Sequence, residues 1–358
     1  MRHLSRHART PVGLTMGARS INAVQLEHVG KTGVPVLAAA AVVPRRRPGA
    51  PPDADEVARI AEAMERQGFR GRSVVIAAPC ERVLSGVLEV PPRSSGAPLD
   101  QIVRNELART SRVDPSQLEC GWWELPRGLR EQEGSQVIAL GCRHEDAARL
   151  LGPCEEAGLD VRAIDAPGPA LARAVGRLLP AGDEITGVLE IGTAAALFIV
   201  IRGRTVVYER LLAEGGLGVT LDQLEKRLAV DRETAEHVLE GVGIDGAPPS
   251  LADEVELLND ARSFLTERTD ELAAEVRASA SYAGRRYGQE MSRLLLSGEG
   301  AGMPGLSARF SRRLECESSV VSPSSLFEVG STGRLFGASA NPAATLAAGL
   351  ALHEEEGR

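Results

Sequence analysis

A β-hairpin pattern that occurs twice does most to limit what this chain can fold into. In TGVLEIGTAAALFIVIRGRTVVYERLLAEGG, from Thr186 to Gly216, an apolar run leads into Glu190-Ile191-Gly192-Thr193. A second β-rich run covers Leu197 to Ile201, Arg202-Gly203-Arg204 turns, and Thr205 to Tyr208 begin a third strand. Near the N-terminus, Val12 to Ala18 leads to Ile21–Leu26, a turn at Gly30-Lys31-Thr32-Gly33, and then Val34–Val43. Apolar runs rich in β-branched residues and bounded by glycine turns read as strands. The second tip gathers backbone N–H groups, a carboxylate and a hydroxyl, a combination suited to a polyphosphate with its Mg²⁺. Gly17 and Gly192 stand about half of the 358 residues apart. The pattern predicts one α/β architecture used twice, with a hairpin tip from each half facing a shared cleft.

Length permits that plan, since a chain of this size buries a large core and divides into domains. Aromatic residues are only 3 %, so Leu, Val, Ala and Ile must fill the core. The net charge of −8 argues against a general nucleic-acid binder. Cys80, Cys120, Cys142, Cys154 and Cys316 form no C-x-x-C pair, which fits reduced thiols in a cytoplasmic protein. The start, MRHLSRHART, is basic but has no apolar core of a signal peptide, and residues 1–10 are expected to be a flexible tail. No apolar run reaches the ~18–20 residues that cross a bilayer, so no direct membrane insertion is expected.

Between the hairpins the chain alternates. Pro44 to Pro52 is proline-rich and reads as an exposed loop. Asp53 to Gln67 has helical spacing through Val57, Ile60, Ala61 and Met64, with Asp53 or Asp55 as N-cap. Ser73 to Ala78 is a buried strand, completing a β-β-β-α-β order that predicts a mixed sheet with a helix on one face. Val87–Val90, Gly121–Leu125 and Val137–Gly141 read as strands, with helices at Leu99–Arg109 and Glu145–Ala157. Val161–Ile164 is a further strand and Pro169–Leu179 a helix. In the second half, helices are expected at Gly218–Leu228, Arg232–Gly241 and from about Leu251 to Tyr287, after a loop at Asp245–Pro249. A strand from Arg293 runs into Ser297-Gly298-Glu299-Gly300, and helices open at Pro304 and Pro342.

Gly30-Lys31-Thr32 is not a P-loop. The glycine that motif needs five positions earlier is Gln25, and a hairpin turn replaces the strand-to-helix context. The two hairpin tips, Glu214-Gly215-Gly216 before a helix and Ser297–Gly300 after a strand together supply two phosphate loops, a linker and a wall for a base and ribose. The chain thus resembles the actin-like ATPase superfamily, a duplicated ribonuclease H-like fold, and within it the PilM family of type IV pilus assembly proteins. The likeness spans nearly the whole chain. Gly13 to Leu26 looks like the first phosphate motif, and Leu189 to Gly192 like the second. Val74–Pro79 with Val87–Pro92 is similar to the opening of the family's inserted subdomain, and Ala157-Gly158-Leu159 with Ile164-Asp165-Ala166 to its exit.

The resemblance implies a first half over 1–184, with its core at about 11–84 and 164–184 and an inserted subdomain at about 85–163. It implies a second half over 185–358, with its core at about 185–220 and 290–358 and a helical subdomain at about 221–289. It further implies an ATP site with Mg²⁺. Thr15, Gly17, Ala18, Arg19 and Ser20 match the first phosphate motif. Glu190, Gly192 and Thr193 match the second, with Glu190 toward the metal. Gly215 and Gly216 match the glycine turn, and Arg277, Ser297, Gly298 and Gly300 the adenosine side. Four positions depart from the family pattern. Thr15 and Glu190 each stand where Asp is usual, Asn22 where Lys is common, and Glu299 interrupts a glycine run. A neutral Thr15 removes a negative charge facing the metal, and Glu299 brings a carboxylate toward the phosphates.

As the resemblance implies, the chain is an adaptor peripheral to the inner membrane, in a type IV pilus or related secretion or competence machine. It would capture the N-terminal tail of a PilN-like bitopic membrane protein between the inserted subdomain and the first core, and meet other components of the machine. Trp122 and Trp123 alternate across a strand, so at most one faces the core and the other is free for a partner. The alternatives are an active ATPase, with Glu190 positioning water, or a small-molecule kinase, for which no Asp base stands out. A membrane-bound filament former is disfavoured by the short acidic tail, Leu350–Arg358.

Overall fold

The computed structural model describes residues 8–29, 34–129, 135–245, 255–329 and 337–353. The Gly30–Gly33 turn, the helix start near Leu251, most of the 245–249 loop and the acidic end of the chain lie outside them. The first half begins with β1 (Ala8–Arg9), β2 (Val12–Met16), β3 (Ser20–Val29), β4 (Val34–Pro44), α1 (Ala54–Arg66) and β5 (Ser73–Ala77). Then come β6 (Leu84–Val90), α2 (Leu99–Ser111), β7 (Leu118–Glu124), β8 (Ser135–Arg143), α3 (His144–Glu156), β9 (Asp160–Asp165) and α4 (Pro167–Val175). The second half starts with β10 (Ile185–Ile191), β11 (Ala196–Arg202), β12 (Thr205–Leu212), α5 (Leu217–Leu228), α6 (Arg232–Gly241) and α7 (Val255–Tyr287). It ends with β13 (Met291–Ser297), α8 (Leu306–Leu314), β14 (Glu317–Val320), α9 (Pro323–Leu326) and α10 (Thr345–Ala351).

The duplication expected from the hairpins is present in the strand order. β4-β3-β2-β5-β9 forms one sheet, antiparallel through β4, β3 and β2 and parallel through β2, β5 and β9. β12-β11-β10-β13-β14 repeats both the order and the directions. Val12 to Thr15, Ile185 to Leu189 and Ala196 to Ile201 are buried on both strand faces, as central strands covered by helices must be. The tail expected over residues 1–10 ends earlier, because Ala8 and Arg9 pair with His28 and Glu27. β14 escaped the sequence reading, since Glu317-Ser318-Ser319-Val320 has no apolar run.

One apolar core joins the two sheets. It contains Val24 and Leu26 from the first sheet, Ile199 and Leu295 from the second, and much of α4 and α10. Those helices cross closely, because a Cβ on Gly349 would lie 1.9 Å from the Ala170 carbonyl oxygen. Between β5 and β9, strands β6, β8 and β7 form a separate antiparallel sheet, with Val103 and Leu107 of α2 buried against Leu118 and Val137. Leu150 and Cys154 of α3 instead share the core of Val57 and Ile60 on α1. In the second half, α5, α6 and the start of α7 bury a cluster of their own around Leu221, Leu224, Val238 and Phe264. Among the described residues no helix is long and apolar enough to cross a membrane.

Candidate functional site

Both hairpin tips are built and buttressed. At the first, the Gly17 N–H donates to the Ser20 carbonyl at 2.9 Å, closing the β2–β3 turn. The Pro44–Pro52 segment is not simply an exposed loop. Arg45 is buried and donates to the Gly17 carbonyl at 3.1 Å and to Glu56 of α1 at 2.7 Å. Glu56 also accepts the backbone N–H groups of Arg46 and Arg47, which together with Arg45 hold its carboxylate below the usual range against the cost of burial. A buried ion pair tied into backbone groups fixes the segment beside the tip. Sequence reading missed it, because the basic run around Arg45 resembles solvated surface.

The predicted residues meet here, but their polar groups are already engaged. Thr15 Oγ1 accepts from Asn22 Nδ2 at 3.0 Å, and the Ala18 carbonyl accepts the Gly49 N–H at 3.0 Å. Arg19 reaches across to α6, 3.1 Å from Glu236 and 3.4 Å from Glu240. Gly192 and Thr193 present their carbonyls to the Leu217 and Gly218 N–H groups at 2.9 and 2.8 Å, so the start of α5 is used in holding the second tip. Glu299 lies between the tips. Its Oε1 is 3.1 Å from Ser20 Oγ, and its Oε2 accepts from Thr193 Oγ1. Half-buried Glu190 is pushed up to about 7 by burial and by the charge of Glu299, so it is largely protonated just below neutral pH.

The remaining predicted residues divide. Ser297 is fully buried at the end of β13, and its Oγ has no hydrogen-bond partner among the described residues. Gly298 has φ +91°, and a Cβ there would stand 2.6 Å from the Ile191 carbonyl oxygen, so this turn must be glycine. Gly300 presses against Ile191, and Gly216 against Thr193 and Ala194. Arg277 does not join the site; it is exposed on α7, 3.9 Å from Glu315. Glu214, Gly215, Thr220, Arg268, Leu272 and Gly300 are among the residues around a cavity of about 40 Å³. The cradle between the tips holds a carboxylate. With Glu299 in the cradle, the arrangement as it stands does not fit ATP with Mg²⁺. No group of three His, Cys, Asp or Glu side chains that could hold a metal occurs among the described residues.

A second concavity is far larger. A groove of about 1270 Å³ runs between β7 and β8 of the small sheet, β9 and α4 of the first half, and the start of β12. Glu119 to Glu124 line it along an edge strand, with Ala166, Pro169, Ala172 and Val206 opposite and Arg173, Arg204 and His353 at the rim. Asp165 accepts from Arg173 and lies 2.8 Å from His353 Nδ1, tying the last described residue into the groove wall. Neither tryptophan is free: both are half-buried. Trp123 Nε1 donates to the Val206 carbonyl at 2.8 Å, and Trp122 Nε1 donates to Asp100 at 2.8 Å with Arg93 over its ring. Both residues nevertheless line the groove.

Two sheets that share one five-strand order around a common cleft define an actin-like fold. Solved structures agree. One described as a PilM-PilN type IV pilus biogenesis complex is 24% identical, covers 96% of this chain and 98% of that chain, and has a TM-score of 0.74. The ethanolamine utilization protein EutJ from Carboxydothermus hydrogenoformans follows at 15% identity, 96% and 89% coverage and a TM-score of 0.53. A diol dehydratase-reactivating factor in nucleotide-free form gives 10%, 95% and 98%, and 0.52. No curated protein matches the sequence. A family described as type IV pilus assembly protein PilM matches residues 13–355. The chain belongs to the PilM family of type IV pilus assembly proteins.

Proposed function

We propose that this chain is a binding protein of a type IV pilus machine, or of a related secretion or competence machine. On this reading it holds the cytoplasmic N-terminal tail of a PilN-like inner-membrane protein in the groove beside β7. The groove carries the reading. Its volume of about 1270 Å³ exceeds the ~300–1,000 Å³ of small-molecule sites. It follows a sheet edge with an apolar wall, which suits an extended peptide that pairs through its backbone and seats alternate side chains. The likeness to a PilM in complex with PilN supports the choice of partner. Through that partner the protein would sit at the cytoplasmic face of the inner membrane and meet other components of the machine. On the same reading, the hairpin cleft joins the halves rather than turning over ATP.

The test is calorimetric titration of a synthetic peptide covering the N-terminal tail of a PilN-like protein from the same genome. We expect one site per chain and a shift in tryptophan emission, because Trp122 and Trp123 border the groove. Gly121 is exposed on β7 with open space where a Cβ would go, so Gly121→Phe fills the groove without disturbing the fold. It should weaken binding at least ~100-fold, about 2.8 kcal/mol. Peptide that fails to bind, or binds Gly121→Phe equally well, would rule out this groove.

A further inference from the structure

Glu299 occupies the space in which an anionic ligand would bridge the two halves. It stands in the turn after β13, between Gly298 and Gly300. Its two carboxylate oxygens meet two hydroxyls from different halves, Ser20 of the first tip and Thr193 of the second. Gly17 backs it so closely that an added Cβ would lie 3.2 Å from Oε1. A tetrahedral phosphate held by these tips would use the same hydroxyls and the same space. Charge points the same way. Among the described residues no cation pairs with Glu299, and Arg19 of the first tip is turned to Glu236 and Glu240 on α6.

We propose that Glu299 acts as an internal anionic ligand, clasping the two tips and keeping nucleotide phosphates out until it withdraws. The surroundings are consistent with a closed state. The start of α5 spends its N–H groups on Gly192 and Thr193. The cavity beside Gly215 and Gly300 is only about 40 Å³. Arg19 forms a second link from the first tip to the helical part of the other half. A carboxylate facing an incoming polyphosphate is a like-charge contact, which in a poorly solvated site strongly disfavours binding. The inference rests on the cleft alone and is independent of whether a peptide binds the groove.

The test uses the full chain and a fluorescent ATP analogue with Mg²⁺. Wild type, Glu299→Ala and Glu299→Gln are titrated side by side, with thermal melts to verify folding. Alanine empties the cradle; glutamine keeps the length but removes the charge. Glu299→Ala should bind at least ~100-fold more tightly than wild type, with Glu299→Gln between them by at least about tenfold. If the alanine protein does not fold, the glutamine gain decides. Wild-type affinity equal to that of the variants, in either direction, overturns the exclusion. Amide exchange without nucleotide tests the clasp separately. Residues 15–20 and 190–193 should exchange faster in Glu299→Ala, and unchanged exchange there overturns the closing role.

Discussion

Glu209 makes the junction between the halves sensitive to pH. The residue lies on β12 and points toward α4, where a Cβ on Gly168 would fall 2.1 Å from its Oε2. That oxygen has no hydrogen-bond partner among the described residues. Burial alone pushes the carboxyl from 4.5 up to about 7. The folded protein therefore keeps a proton that the unfolded chain releases near pH 4.5. Between those values the native state binds more protons, so stability falls as pH rises and the loss is complete above about pH 7. At about 1.4 kcal/mol per pKa unit, the shift amounts to roughly 3 kcal/mol. Glu209 keeps some solvent access, so that is an upper value. Glu209→Gln removes the titration while keeping the shape. Urea unfolding of both proteins from pH 4.5 to 8 should give a stability difference that moves toward the variant by roughly 2–3 kcal/mol. A difference that stays flat with pH would show that the carboxylate is solvated or paired in solution, and would refute the argument.

Gly298→Ala should destabilise by at least ~2 kcal/mol, because it combines a left-handed backbone with a collision at Ile191, and a thermal melt reads the loss. Asp270 on α7 accepts from both Arg309 and Arg313 of α8, which holds its carboxyl far below the usual range. Asp270→Asn should cost about 1–3 kcal/mol and loosen α8, seen as faster amide exchange over Leu306–Leu314. Trp123→Phe removes the donor to the Val206 carbonyl, leaving that contact between β7 and β12 unmade. It should lower the melting stability by about 1 kcal/mol.

The repeated architecture was legible because both hairpins carry their own pattern of apolar strands and glycine turns. Central strands announce themselves by being buried on both faces, which is why β2, β10 and β11 were readable. β14 was not, because its place is set by parallel pairing with β13 rather than by its own side chains. Sequence order also brought the two tips to one cleft. It did not reveal how their groups are used. Glu299 was visible as a charge breaking a glycine run, but its position between Ser20 and Thr193 depends on contacts spanning almost the whole chain. Arg19 and Arg45 look alike in sequence, yet one links the halves across the cleft and the other is buried beneath a turn. Arg277 shows the opposite case, a plausible position whose side chain lies exposed on α7 beside Glu315.

The crossing of α4 and α10 sets a timetable for making the protein. α10 is translated long after the first sheet, yet it covers that sheet beside Val24, Leu26, Ala40 and Val75. At ~5–20 residues per second, the ribosome needs roughly 10–35 s to extend the chain from Val175 to Ala351. Through that interval the completed first half presents an apolar face with no cover of its own. The N-terminal half should therefore rely on chaperone binding during synthesis, and chains cut before Thr345 should be recovered as aggregates rather than as a folded half.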